Sequence, residues 1–114
     1  MNYRIIATKN FEKQTKRLSK KFPSLKKDLQ KFEKDLLANP QMGFSLGKNT
    51  YKIRIAVKSK GKGKSGGFRI ITYLEIDLFI DELTNIYLLT IYDKSETENI
   101  TNWELKKLIE NKLR

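Results

Sequence analysis

Apolar positions recur along this chain with two different periods. In the first third, Phe11, Thr15, Leu18 and Phe22 follow one another at steps of three or four, and so do Leu25, Leu29, Phe32 and Leu36. Steps of this size place side chains on one face of a helix. The opposite face of the first series holds Lys13, Lys16, Arg17 and Lys20. Pro23 and Ser24 separate the two series. Asn39-Pro40 ends the second, because a residue before proline is driven out of the helical region. The expectation is a helical hairpin, preceded by a short strand over residues 3–7, with Thr8 or Asn10 capping the first helix.

Beyond residue 50 the period becomes two. Tyr51, Ile53, Ile55 and Val57 alternate with Lys52, Arg54, Ala56 and Lys58, which predicts a strand with one apolar face and one cationic face. Residues 68–74 and 85–92 read as two further strands, rich in Ile, Leu and Tyr. The stretch 75–84 between them fits either a hairpin extension or an irregular connection. Thr101 and Glu104 have the spacing of a capping box, and Leu105, Leu108, Ile109 and Leu113 supply the face of a last helix. The order is βααβββα, an α+β fold in one domain over residues 1–114.

Charge sharpens this picture. The 114 residues carry 24 Lys and Arg against 13 Asp and Glu, a net +11. Residues 48–69 hold eight of the basic residues and no acidic one, whereas residues 70–114 are net negative. Such a concentration of positive charge calls for a polyanion, and nucleic acid is the expected class. A membrane partner is not expected. The cationic stretch reads as strand and loop rather than amphipathic helix, and the longest nearly unbroken apolar run, 86–92, is far too short to span a bilayer. No secretory signal is legible and there is no Cys, so the cytoplasm is the expected location. Without Cys or His there is no thiolate nucleophile, no imidazole base and no ordinary zinc site. Neither a metal nor a cofactor is expected, and any catalysis falls to Lys, Arg, Tyr, hydroxyls or carboxylates.

Candidate chemistry gathers around the cationic strand and the glycine-rich loop after it. Lys52, Arg54 and Lys58 are expected on one face, and Lys60, Lys62 and Lys64 alternate with Gly61 and Gly63 in a loop that lets ammonium groups and backbone amides approach phosphates. The loop is not a nucleotide-hydrolysis motif, since Gly67 stands where that motif needs lysine. Arg69 opens an apolar strand, and Lys94 follows Tyr92-Asp93 at the end of the last one. Tyr92 is the aromatic best placed to meet a base.

The run from Tyr51 to Lys58, the segment Gly61-Lys-Gly-Lys-Ser-Gly-Gly-Phe-Arg-Ile-Ile-Thr-Tyr73 and the segment Ile86-Tyr-Leu-Leu-Thr-Ile-Tyr-Asp-Lys-Ser-Glu96 together resemble the RelE/ParE superfamily of bacterial toxins, within it the HigB-like mRNA interferases. The resemblance covers nearly the whole chain. It implies a compact antiparallel sheet with two N-terminal helices on one side. It implies a type II toxin that cleaves translated mRNA in the ribosomal A site, without a metal, through attack of the 2′-OH on the adjacent phosphate. By this resemblance Arg69, Lys94, Lys52 and Arg54 map onto catalytic positions; Lys58, Lys60, Lys62 and Lys64 are expected, on their charge and loop setting, to contact the RNA. The founding branch has a catalytic tyrosine after the last strand; counting puts Ile100 there, and Tyr92 is the available substitute. The implied partners are the ribosome, mRNA and a cognate antitoxin of the DNA-binding, HigA-like kind. Two rival readings share the charge pattern: a ParE-like gyrase inhibitor and a non-catalytic RNA- or ribosome-binding protein.

Overall fold

The computed structural model describes residues 2–61, 63, 66–97 and 99–114. Its elements are β1 (Asn2–Ala7), α1 (Lys9–Lys21), α2 (Leu25–Ala38), β2 (Phe44–Gly47), β3 (Thr50–Ile55), β4 (Phe68–Ile76), β5 (Leu83–Asp93) and α3 (Asn102–Glu110). The five strands form one sheet in the order β1-β5-β4-β3-β2. The α+β class and the helical hairpin stand as expected, with two refinements. The sheet is mixed rather than purely antiparallel, because β1 runs parallel to β5; α1 and α2 carry the chain from β1 at one edge of the sheet to β2 at the other. There is also one more strand, β2, at the edge. It escapes the pattern because it has only four residues and leaves Phe44 exposed. A tight reversal joins it to β3, with positive φ at Gly47, Lys48 and Asn49, the left-handed backbone that twisted hairpins favour.

The sheet divides the core in two. Phe11, Leu18, Phe22, Leu25, Phe32 and Leu36 of the hairpin region pack on Ile53, Ile55, Phe68, Ile70, Ile86, Leu88 and Ile91. Phe22 meets Phe68 edge-to-face, with centroids 5.0 Å apart. On the other face Ile71, Tyr87, Leu89 and Tyr92 are covered by Ile100, Leu105, Leu108 and Ile109. Thr8, rather than Asn10, caps α1. Its Oγ1 accepts from the Phe11 N–H at 3.2 Å, and its hydroxyl reaches the Leu88 and Leu89 carbonyls of β5. The capping box at Thr101 and Glu104 is present. Leu113 does not join the helical face: α3 stops at Glu110, and Leu113 is exposed.

The ambiguous stretch 75–84 is a hairpin. Asp77 Oδ1 accepts the N–H groups of Phe79 and Ile80, each at 2.8 Å, and so turns the tip. Leu78 and Phe79 stand almost fully in solvent there. Among the described residues no helix is long and apolar enough to cross a membrane.

Candidate functional site

Register decides which cations meet. β3 pairs with β4 so that Arg54 stands opposite Arg69, and β4 pairs with β5 so that Arg69 stands opposite Tyr92. Residues directly opposite on paired strands share a face, so Arg54, Arg69 and Tyr92 form one row across three strands. Their neighbours Ile53, Ile55, Phe68, Ile70 and Ile91 point into the hairpin core. The row therefore lies on the α3 face. Lys52, two residues before Arg54 and opposite Ile71, shares that face.

Tyr92 reaches the row through an irregularity. Ile71 pairs with Thr90 while Thr72 pairs with Leu88, which leaves Leu89 as an extra residue in β5. Strict alternation would place Tyr87, Leu89 and Ile91 on one face and Tyr92 on the other. The bulge resets the alternation, so Tyr87, Leu89 and Tyr92 all face α3.

Arg69 is buried, with 4% of its surface exposed. One of its terminal N–H groups donates to the Phe68 carbonyl at 3.2 Å. Tyr92 is also buried, at 6% exposure. Burial pushes its phenol above the ordinary value, the Arg69 guanidinium pulls it back, and Glu104 adds to the rise. Tyr92 is thus a neutral hydroxyl at physiological pH and a poor proton acceptor, and it lies within electrostatic reach of Arg69.

Lys94 is exposed and follows β5. Its backbone N–H donates to the Gly67 carbonyl at 3.3 Å, two residues before Arg69. The packing of this segment against the end of β3 needs glycine at 67, since a Cβ there would stand 2.2 Å from the Ile55 carbonyl oxygen and 2.8 Å from that of Gly63. The backbone of residue 94 therefore adjoins residue 67, at the end of the sheet from which β4 runs on to Arg69.

Two expectations need correction. Lys58 does not extend the Lys52–Arg54 face. β3 ends at Ile55, and the Lys58 N–H bonds Asp28 of α2 at 3.2 Å, while Ser59 bonds Ser24 at the head of the same helix. Lys60 is not an open cation either. Its ammonium is ion-paired with Asp93 and sits 5.6 Å from the Phe68 ring centroid, with only 10% of the side chain exposed. It pins the glycine-rich loop to the end of β5. Asp93, which pattern reading passed over as a strand-end polar residue, anchors that loop through Lys60 and also accepts from Ser95. The one available signal was an acid at the strand end in a protein whose loop carries only cations. Lys62 and Lys64 lie outside the described residues. Among the described residues no cluster of three His, Cys, Asp or Glu side chains is placed to hold a metal.

No family model matches the sequence. The architecture is similar to the solved structure of the E. coli toxin RelE in its free state, a form with two arginine-to-alanine substitutions. The TM-score is 0.56 and the identity 15%, over 99% of this chain and 96% of that one. What this chain shares with that structure is the fold, a RelE-like α+β arrangement.

Proposed function

We propose that this chain is the toxin of a toxin–antitoxin pair, a HigB-like interferase that cuts mRNA on the ribosome. The observation that carries the reading is the cross-strand row, two guanidinium groups and a phenol side by side on a RelE-like sheet, with Lys52 on the same face. Arginine's planar fork suits a phosphate whose negative charge grows during in-line attack. Arg69 and Arg54 bind the nonbridging oxygens. The 2′-oxygen attacks phosphorus as its proton passes to water, with the Lys52 ammonium beside it to offset the growing negative charge. The bond from phosphorus to the 5′-oxygen breaks, and that oxygen takes a proton from Lys94 or water. The products are a 2′,3′-cyclic phosphate and a 5′-OH. Tyr92 acts by hydrogen bonding and packing, because its raised pKa removes it as a base. The ribosome supplies the in-line geometry of the message.

A phosphate reaches the buried Arg69 only when the cover over this face withdraws. The element suited to withdraw is α3, which buries no residue fully. A DNA-binding, HigA-like antitoxin would silence the toxin by covering the same face or by holding α3 in place.

The test is induction of the wild type and of Arg69→Ala in cells, with mRNA 5′ ends and DNA integrity followed together. Codon-phased cuts that fall about 100- to 1000-fold in the variant, the usual loss for one such stabilising donor, are the expected result. DNA damage without mRNA cuts would replace this reading with a ParE-like one. Neither effect would leave a binding protein.

A further inference from the structure

Beyond the end of the row, where β5 meets α1 and α3, lies a hollow of about 340 Å³ lined by Asn10, Gln14, Tyr92, Trp103, Glu104 and Lys107, among others. We propose that, while α3 is in place, this hollow holds one unpaired base of the RNA, stacked on Trp103 and read at its edge by Asn10, Gln14 and Tyr92, before a phosphate reaches Arg69. The proposal rests on RNA being the ligand, and extends that reading to a base subsite.

Three observations converge on it. The Tyr92 hydroxyl is buried and, among the described residues, makes no hydrogen bond. A buried hydroxyl without a partner is destabilising, and Tyr92 borders the hollow, so a ligand seated there can satisfy the hydroxyl once its surroundings shift slightly.

Trp103 is a large flat side chain left 68% exposed at the rim, with the Lys107 ammonium 5.5 Å from its ring centroid. An exposed indole is a natural base-stacking platform, and the ammonium can meet a phosphate attached to the stacked base.

The amides on α1 have defined remaining capacity. Asn10 Nδ2 donates to the Leu89 carbonyl at 3.0 Å, which leaves its oxygen as an acceptor. Gln14 Oε1 accepts from Arg17 Nε at 3.2 Å, which leaves its NH2 as a donor. Residues four apart share a helix face, so the hollow presents one acceptor and one donor along one side, the complement of a base edge. Its charges are mixed, with Arg17 paired to Glu96 at 3.3 Å and Glu104 engaged in the capping box. That balance suits a neutral base with its phosphate outside.

Trp103 is the only tryptophan, so its emission reports the site directly. The experiment titrates the wild type with each of the four nucleoside 5′-monophosphates and with a fluorescein-labelled RNA hexamer, 2′-O-methylated against cleavage. The expected result is saturable quenching of Trp103 by at least one nucleotide, weakened several-fold in Tyr92→Phe and Gln14→Ala. Hexamer affinity, read by anisotropy, should fall about 5- to 150-fold in Trp103→Ala, the range for one base–aromatic stack, and recover in Trp103→Phe. Tyr92→Phe should lose nucleotide affinity while its urea midpoint holds or rises, because it removes an unsatisfied hydroxyl; a merely structural role would not split the two.

Quenching that is unchanged in Tyr92→Phe and Gln14→Ala would mean stacking on an exposed ring alone and would overturn the proposal. So would hexamer binding with no change in Trp103 emission and no loss in Trp103→Ala, an outcome that leaves the cleavage reading intact. Absence of binding by nucleotides and hexamer alike would also overturn it. Conversely, saturable base binding by a protein that cuts no message would uphold the subsite and sink the cleavage reading.

Discussion

Asp93 shows how much one residue organises. It is almost fully buried and holds Lys60, so the loop after β3 is tied to the strand end that leads to Lys94. Removing one partner of a buried pair strands the other charge, at a cost of about 3–5 kcal/mol. Lys60→Met should therefore shift the urea midpoint sharply. The double variant Lys60→Met/Asp93→Leu should recover much of the loss. The sign of the pH dependence follows from the carboxyl. Burial would raise its pKa, but the bonds from Lys60 and Ser95 outweigh that and bring it below the ordinary value. The unfolded chain then takes up the proton first as pH falls. The contribution is complete above the unfolded value of about 3.9 and is lost as pH falls through the lower folded value. Urea midpoints at pH 7 and pH 3 should converge for Asp93→Asn relative to wild type.

The elements differ in how firmly they are held. β4 and β5 are central and buried along most of their length. α3 is fixed by its capping box, by apolar contacts on one side and by Lys112, whose ammonium lies 5.7 Å from the ring centroids of both Tyr73 and Tyr87 and 3.8 Å from Glu75. Local opening follows such differences. Amide exchange should release α3 well before β4 and β5, and Thr101→Ala, at about 1 kcal/mol for a lost cap, should speed α3 exchange roughly fivefold with the strands unchanged. Equal protection of α3 and β5 would contradict a withdrawing cover.

Element type was readable where period was strong: both helices of the hairpin, the Tyr51–Val57 alternation and the Thr101 cap all follow from side-chain spacing. Register was not. The pairing of Arg54 with Arg69, and the extra residue at Leu89 that turns Tyr92 toward them, depend on how separate strands align, which no local pattern encodes. The same applies to Lys60: a lysine among glycines reads as mobile charge until an acid elsewhere in the chain is placed beside it. β2 was too short for a period to emerge, and the hollow beside Tyr92 joins residues from three elements.

At the scale of the whole molecule, apolar residues play opposite roles at the two ends of β4. Phe68 is fully buried against Phe22, whereas Phe79 at the far hairpin is almost entirely exposed. Phe68→Ala should cost about 3–5 kcal/mol, and Phe79→Ser should stay within about 0.5 kcal/mol, as measured by urea unfolding. Charge is also arranged globally. On the proposed reading, the net +11 should make RNA binding steeply salt-dependent. If Lys52, Arg54 and Arg69 each neutralise a phosphate, they contribute about −2 to the slope of log K against log salt, and Lys52→Ala should reduce its steepness by about 0.7.

The most direct measurement uses purified protein, ribosomes paused on a defined message, and that message with a single 2′-deoxy nucleotide at the cut site. Wild type should cut the all-ribose message, leaving a 2′,3′-cyclic phosphate and a 5′-OH, should leave the deoxy-substituted site intact, and should lose the cut in Arg69→Ala. Cleavage at the deoxy site, or undiminished cleavage by Arg69→Ala, would contradict the account.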